Sequence, residues 1–168
     1  ELIPFMNFPH GMKIDMFLRY IIPARTVFIC DDDAYCMRPL GAELALLALP
    51  RTAVVSLRPR VAYRIRYGGE DHLPMGTYAL LINREIVVRE HIRFHSPRGD
   101  SHRRIFNRPA GFKNGLSFDT GDYANERILE LGYAVRYGEV GGVRGFMALT
   151  QPRLLLECYG KERVKRMI

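Results

Sequence analysis

Three consecutive aspartates, Asp31, Asp32 and Asp33, are the residues of this sequence whose types and spacing best suit chemistry. Adjacent carboxylates repel one another, and a hard divalent cation removes that repulsion while gaining oxygen ligands. Because alternate residues of an extended segment point to the same side, Asp31 and Asp33 can face one ion. We therefore expect these two aspartates to bind Mg²⁺ or Mn²⁺, an ion that also binds substrate phosphates. A solvated acidic turn, or a cluster at the start of a helix, accounts for the same triplet without a ligand.

The position of the triplet in the chain supports a metal site. It directly follows Thr26–Cys30, an apolar run rich in β-forming residues that has the composition of a buried parallel strand. In open α/β sheets, ligands bind beyond the carboxyl ends of the strands. The aspartates therefore stand where such a fold binds its ligands.

Segments with helical and with strand periodicity alternate along the rest of the chain. The predicted helices are Met12–Tyr20, Leu40–Leu49, Asp122–Leu131 and Pro152–Met167. The other predicted strands are Thr52–Leu57, Arg60–Tyr67, Thr77–Ile82, Glu85–Phe94, Tyr133–Tyr137 and Val143–Leu149. This mixture predicts an α/β fold with a mixed sheet and flanking helices, with an α+β arrangement as the alternative. The length of 168 residues predicts a single domain over 1–168.

Positive charge is concentrated in one part of the sequence. The chain has a net charge of +7, and its basic segment, residues 84–113, contains eight basic and three acidic side chains. Within it begins a long polar loop, Ser96–Gly115, which we expect to border the cleft at Asp33 as a mobile lid. Alternatively, the basic segment binds single-stranded nucleic acid through charge and its interleaved phenylalanines, holds phosphates of a donor or an anionic acceptor, binds an anionic membrane surface, or is a plain solvated face.

The residues around the triplet carry a resemblance to a known family. His10-Gly11, Asp15 and the run Arg25–Ala34 are similar to the middle of GT-A fold glycosyltransferases, where an apolar strand ends in an Asp-x-Asp motif. That family has a longer nucleotide-binding α/β segment before this strand. The resemblance therefore implies a partial Rossmann-type domain whose N-terminal part is shortened or missing.

A later segment strengthens the resemblance. Phe118–Tyr123 is similar to the later acidic segment of the family, and Glu126 and Leu129–Val135 resemble the helix and the strand that follow it. In the family, this later acid activates the acceptor hydroxyl or helps to hold the acceptor. The resemblance makes Asp122 the first candidate for a catalytic base and Asp119 the second. The start of a helix also explains Asp122, because aspartate is a common helix cap.

The same resemblance implies a function. It implies transfer of a sugar from a nucleotide-sugar donor to a hydroxyl of a sugar or glycan acceptor, with Mn²⁺ or Mg²⁺ on the donor phosphates. Asp32 would orient the donor. The candidate substrate-binding residues are Asp32, His10, Arg58, Arg93 and Arg98.

Composition limits the other classes of protein that fit this chain. No apolar run is long enough to cross a membrane. The three cysteines are an odd number and match no zinc spacing, which favours a reducing compartment and predicts a cytoplasmic protein, with contact to a membrane surface as a further option. The alternative to a glycosyltransferase is a non-catalytic basic subunit that binds RNA or buttresses a large assembly, such as a ribosomal or mitochondrial one.

Overall fold

The computed structural model describes residues 8–31, 34–36, 38–59, 64–96, 105–106, 120–139 and 143–145. In chain order the elements are α1 (His10–Met16), β1 (Thr26–Cys30), β2 (Ala34–Cys36), α2 (Gly41–Ala48), β3 (Thr52–Ser56), β4 (Arg64–Tyr67), β5 (Glu70–His72), β6 (Ala79–Asn83), α3 (Arg84–Arg89), β7 (Ile105–Phe106), α4 (Asp122–Glu130), β8 (Ala134–Tyr137) and β9 (Val143–Gly145). A π-helical turn, Phe17–Ile21, extends α1.

The centre of the fold is a mixed sheet of four strands in the order β1-β6-β3-β8. Strand β6 runs antiparallel to both of its neighbours, whereas β3 and β8 are parallel to each other. The carboxyl ends of β1, β3 and β8 therefore lie together at one edge, beside the amino end of β6. We call this edge of the sheet the carboxyl edge.

Helices cover both faces of this sheet. On one face, α1, α3 and α4 pack on a core that includes Ile14, Ile86 and Ile128. On the other face, α2 contributes Leu47 to a smaller core with Val55 and Leu81 of the sheet. The fold is therefore α/β with a mixed sheet and flanking helices, as the sequence predicts.

Two smaller sheets complete the described structure. Strands β5, β4 and β7 form an antiparallel sheet in that order. Strands β2 and β9 form an antiparallel pair, so the segment that follows the aspartate triplet is tied to a strand from late in the chain.

Most of the elements expected within the described residues are confirmed. The helices predicted over Met12–Tyr20, Leu40–Leu49 and Asp122–Leu131 correspond to α1 with its π-helical turn, α2 and α4. Gly132, which follows α4, has a φ of +72°, the left-handed conformation that ends many helices and that favours glycine. The helix expected over Pro152–Met167 lies outside the described residues.

Two predictions about strands are wrong. The first is the strand over Glu85–Phe94, because this segment contains the helix α3, whose first turn is capped by the Asn83 side chain accepting from the Ile86 amide. The second is the parallel, fully buried environment of Thr26–Cys30. Among the described strands, β1 pairs with β6 alone and in antiparallel fashion. It is therefore an edge strand of this sheet, and the residues at both of its ends are exposed.

The basic segment is described only in part. Within the loop expected over Ser96–Gly115, Ile105–Phe106 forms β7 and pairs with β4, so the loop is not wholly irregular. The expected position of this loop at the cleft falls mainly on residues outside the described ranges. Among the helices of the described ranges, none is long and apolar enough to cross a bilayer.

Candidate functional site

Asp31, Tyr78 and Arg58 lie in a row at the carboxyl edge of the sheet. The Asp31 amide donates to the Tyr78 carbonyl oxygen at 3.0 Å, and the Leu57 amide donates to the Ala79 carbonyl oxygen at 3.0 Å. Tyr78 therefore stands between Asp31 and Arg58. Because neighbouring strands are about 4.8 Å apart, the backbones of Asp31 and Arg58 are about 10 Å apart.

Arg58 extends over the ring of Tyr78, with its guanidinium carbon 5.1 Å from the ring centre. The ring restrains the side chain through a cation–π contact without neutralising its charge. Arg58 is exposed, and its guanidinium makes no ion pair with any residue that the structure describes. It is therefore a restrained cation that can bind an anion at this edge.

His10 lies beside Asp31. The His10 Nε2 is 3.9 Å from Asp31 Oδ1, and the two side chains are 44% and 37% exposed. His10 is the first residue of α1, so its contact with Asp31 places the start of this helix at the carboxyl edge. Three of the residues predicted to form the site, His10, Asp31 and Arg58, thus lie at the same edge of the sheet, with His10 next to Asp31.

A polar frame fixes the segment Leu73–Thr77, which leads into Tyr78. The Tyr137 hydroxyl donates to the Leu73 carbonyl oxygen. Buried Asn125 accepts from the Met75 amide at 2.7 Å, and buried Ser56 accepts from the Gly76 amide at 3.2 Å. Because these side chains come from β8, α4 and β3, the position of Tyr78 depends on three elements of the fold.

A buried ion pair behind the triplet was not predicted from the sequence. Glu43 of α2 is fully buried and accepts two hydrogen bonds from the guanidinium of Arg38, at 2.6 and 3.1 Å. The same guanidinium donates to Glu139, which follows β8, at 3.1 Å. The hydrogen bonds from Arg38 lower the pKa of Glu43. This pair ties the chain that follows the triplet to the carboxyl edge.

One sequence signal could have pointed to this pair. Glu43 lies on the same helical face as Leu40 and Leu47, and the residues around it in the sequence are apolar. A carboxylate on the buried face of a helix requires a partner, and Arg38 is the first basic residue before it.

Asp122 lies in the first turn of α4 and is fully buried. A catalytic base must touch the hydroxyl that it deprotonates, so this burial favours the structural role of Asp122 over the catalytic one. Its role as the base stays a prediction.

Other predicted site residues lie elsewhere or beyond the description. Arg93 lines a pocket along α1 rather than the row formed by Asp31, Tyr78 and Arg58. The predictions for Asp32, Asp33, Arg98 and Asp119 fall outside the described residues.

Two residues at the carboxyl edge, Asp31 and His10, can contribute ligands to a divalent metal site. Asp31 supplies a partly exposed carboxylate, and His10 supplies an imidazole nitrogen next to it. Among the described residues no cluster of three or more ligating side chains is found. Mg²⁺ and Mn²⁺ are compatible with such a sparse set, because Mg²⁺ commonly uses one or two carboxylates and completes its shell with water and substrate phosphates.

The chain was compared with protein-family models, curated proteins and solved structures, and none of them matches it. No comparison therefore assigns a function to the residues of the carboxyl edge.

Tyr137 allows a prediction about pH. Burial raises its pKa to about 12 from the ordinary value of 10.0, so the folded state favours the neutral phenol. Its contribution to stability is complete below pH 10 and is lost as the pH rises towards 12. We expect Tyr137→Phe to lower the free energy of unfolding by about 1 kcal/mol at pH 7, since it leaves the Leu73 carbonyl unpaired. Urea titrations should show this difference shrinking above pH 10, and a difference that stays constant to pH 12 would contradict the assignment.

Proposed function

We propose that the carboxyl edge binds the diphosphate of a nucleotide sugar together with Mn²⁺ or Mg²⁺, and that the chain is a glycosyltransferase of the GT-A type or part of one. The observation that carries the proposal is the row of Asp31, Tyr78 and Arg58, with His10 beside Asp31. A cytoplasmic location is part of the same proposal and is supported by the cysteine pattern alone.

The charges in this row suit a metal diphosphate. Asp31 would hold the ion with His10 next to it, and Asp33 is the expected second carboxylate. When bound, the ion neutralises negative charge on the diphosphate leaving group. Arg58, whose backbone lies about 10 Å from that of Asp31, carries a positive charge with no acidic partner among the described residues, so it can bind a second phosphate oxygen.

The residues of the chain itself mainly bind and orient the donor. The Tyr78 ring keeps the Arg58 guanidinium in place, so less side-chain freedom is lost when a phosphate binds. His10 can donate a hydrogen bond to a phosphate oxygen near Asp31. The proton of the acceptor hydroxyl requires a carboxylate, for which Asp122 and Asp119 are the candidates from the sequence.

Calorimetric titration of UDP and GDP into the protein, with Mn²⁺ or with EDTA, tests this proposal. We expect nucleotide diphosphate binding that requires Mn²⁺. Loss of one charged hydrogen-bond partner costs about 1.5–3 kcal/mol, so Asp31→Asn and Arg58→Gln should each weaken binding about tenfold or more. Both side chains are exposed enough for these variants to fold.

Glu85→Gln is the matched control for these variants. Glu85 is an exposed carboxylate paired with Arg25, and it follows β6 at the opposite edge of the sheet. The control should bind nucleotide as the unchanged protein does. Binding that is unaffected by EDTA, or that weakens equally in Glu85→Gln, would overturn the metal diphosphate site.

The alternative function has its own signature in the same experiment. A basic RNA-binding subunit would bind a single-stranded oligonucleotide without Mn²⁺, with an affinity that falls steeply as salt is raised. The net charge of +7 favours this alternative. Strong oligonucleotide binding without any Mn²⁺-dependent binding of UDP or GDP would decide for it.

A further inference from the structure

A pocket lies along α1, away from the row at the carboxyl edge. It has a volume of about 270 Å³ and runs between α1 with its π-helical turn and the chain segment that carries Arg93 and His95. From the helical side, the side chains of Met12, Asp15, Met16, Arg19 and Tyr20 line it, at the spacing of one helical stripe. We call it the α1 pocket.

Hydrogen bonds hold the two walls of the α1 pocket together. The two carboxylate oxygens of Asp15 accept from the amides of Phe94 and His95, at 2.7 and 3.1 Å. The guanidinium of Arg19 donates to the Ile92 carbonyl oxygen at 3.2 Å. Burial raises the pKa of Asp15, and the hydrogen bonds from the two amides act in the opposite direction, so they compensate only part of the desolvation of this carboxylate. The pocket is therefore built before any ligand arrives.

The charge in the α1 pocket is unbalanced. Arg19 and Arg93 bring two guanidinium groups against the single carboxylate of Asp15, and His95 adds an imidazole. The oxygens of Asp15 are engaged by backbone amides, whereas Arg93 is exposed and makes no ion pair with a described residue. An anion with several oxygens, such as a phosphate, would balance this excess.

The remaining side chains set the shape of the ligand. Tyr20 is 81% exposed, an unusual position for a large aromatic ring, and Met12 and Met16 provide soft apolar surface beside it. These groups favour a flat ring next to the anion. Pockets for drug-sized ligands measure roughly 300–1,000 Å³, so a volume of about 270 Å³ suits one ring with its phosphate better than a complete nucleotide sugar.

We infer that the α1 pocket binds a phosphomonoester of a single-ring compound, with the phosphate between Arg19 and Arg93 and the ring against Tyr20. The inference does not rest on the proposed function, because neither Asp31 nor Arg58 lines this pocket. A phosphomonoester presents three terminal oxygens with close to two negative charges at neutral pH, so it can accept hydrogen bonds from both guanidinium groups more readily than a carboxylate can.

Phenyl phosphate, inorganic phosphate and benzoate are the probes for this site, and titration calorimetry of the full chain is the measurement. We expect phenyl phosphate to bind with one site per chain and benzoate to bind at least tenfold more weakly. Arg93→Gln should weaken phenyl phosphate about tenfold or more, because it removes a charged hydrogen-bond donor. Tyr20→Ala should weaken phenyl phosphate about fivefold and leave inorganic phosphate unchanged, because only the ring contact is lost.

Arg25→Gln is the matched control, since Arg25 is an exposed arginine that does not line the α1 pocket. It should bind phenyl phosphate normally. Equal weakening by Arg25→Gln and Arg93→Gln would mean general attraction to a basic surface and would overturn the site. Benzoate binding as tight as that of phenyl phosphate would overturn the assignment to phosphate. A Tyr20→Ala variant with unchanged phenyl phosphate affinity would overturn the ring contact.

Discussion

Replacing Glu43 with glutamine is expected to lower the free energy of unfolding by about 2–3 kcal/mol at pH 7. Breaking a buried ion pair typically costs about 3–5 kcal/mol, because the remaining charge loses its partner. Here the remaining charge, Arg38, keeps its hydrogen bond to Glu139, and its side chain is 31% exposed, so Glu139 and water compensate part of the loss and the effect should fall below that range. Urea denaturation at pH 7 measures the change.

The pH dependence of the Glu43→Gln effect has a definite sign. Its hydrogen bonds with Arg38 lower the pKa of Glu43 from the ordinary value of 4.5. The stabilisation is therefore present above pH 4.5 and is lost as the pH falls through the lower pKa of the folded state. The stability difference between the unchanged protein and Glu43→Gln should shrink in acid.

Glu139→Gln is the control for Glu43→Gln. Glu139 accepts from the same guanidinium, but its side chain is 76% exposed, so its removal should be nearly silent. If Glu43→Gln is as mild as Glu139→Gln, the buried pair does not stabilise the fold. A silent Glu43→Gln would also mean that the pair does not hold the chain after the triplet at the carboxyl edge.

The sequence predicts the parts of this fold whose signals are local. The strand at Thr52–Ser56 is buried at every position, which its apolar composition predicts. Helix α4 ends before a glycine in the left-handed conformation, as a glycine at that position predicts. In both cases the residues that form the element also carry the signal for it.

One error arises where a helix cap and core packing outweigh the local strand propensity, and the other arises where a distant strand decides the outcome. The segment after Asn83 contains three β-branched residues, Ile86, Val87 and Val88, which favour a strand in isolation. The structure forms a helix there because the Asn83 side chain caps it and Ile86 and Val87 pack against the core. The antiparallel partner of β1 is β6, which lies far along the chain, and no local sequence pattern encodes this pairing.

The candidate site shows the same division. The triplet and its position after a strand are visible in the sequence, and so is the arginine content of the chain. The contact of Arg58 with Tyr78 is not visible, since it joins residues twenty positions apart through the register of β3 and β6. His10 reaches Asp31 only because α1 packs on the sheet. Residue type was enough to select candidate residues, whereas their grouping required the topology.

Gly11→Ala is expected to destabilise the fold by about 2–3 kcal/mol, the upper part of the range for overpacking. A Cβ at Gly11 would lie 2.6 Å from the Phe94 carbonyl oxygen, 2.8 Å from the Phe94 carbonyl carbon and 2.9 Å from the His95 Cα. All three are backbone atoms, and hydrogen bonds restrain this backbone from moving away from α1. The carboxylate of Asp15 holds both amides, and the Phe94 carbonyl accepts from the Gly121 amide.

The same substitution should also weaken the carboxyl edge, because α1 must move outward and its first residue is His10. We therefore expect Gly11→Ala to reduce Mn²⁺-dependent binding of UDP or GDP at temperatures where the variant is still folded. Gly41→Ala is the matched control: Gly41 begins α2, and a Cβ there meets no atom within 4 Å. Alanine is a better helix former than glycine by about 0.5–1 kcal/mol, so the control should be neutral or slightly stabilising. Thermal and urea unfolding measure both variants. If Gly11→Ala is as stable as Gly41→Ala, α1 does not pack closely on the backbone of Phe94 and His95.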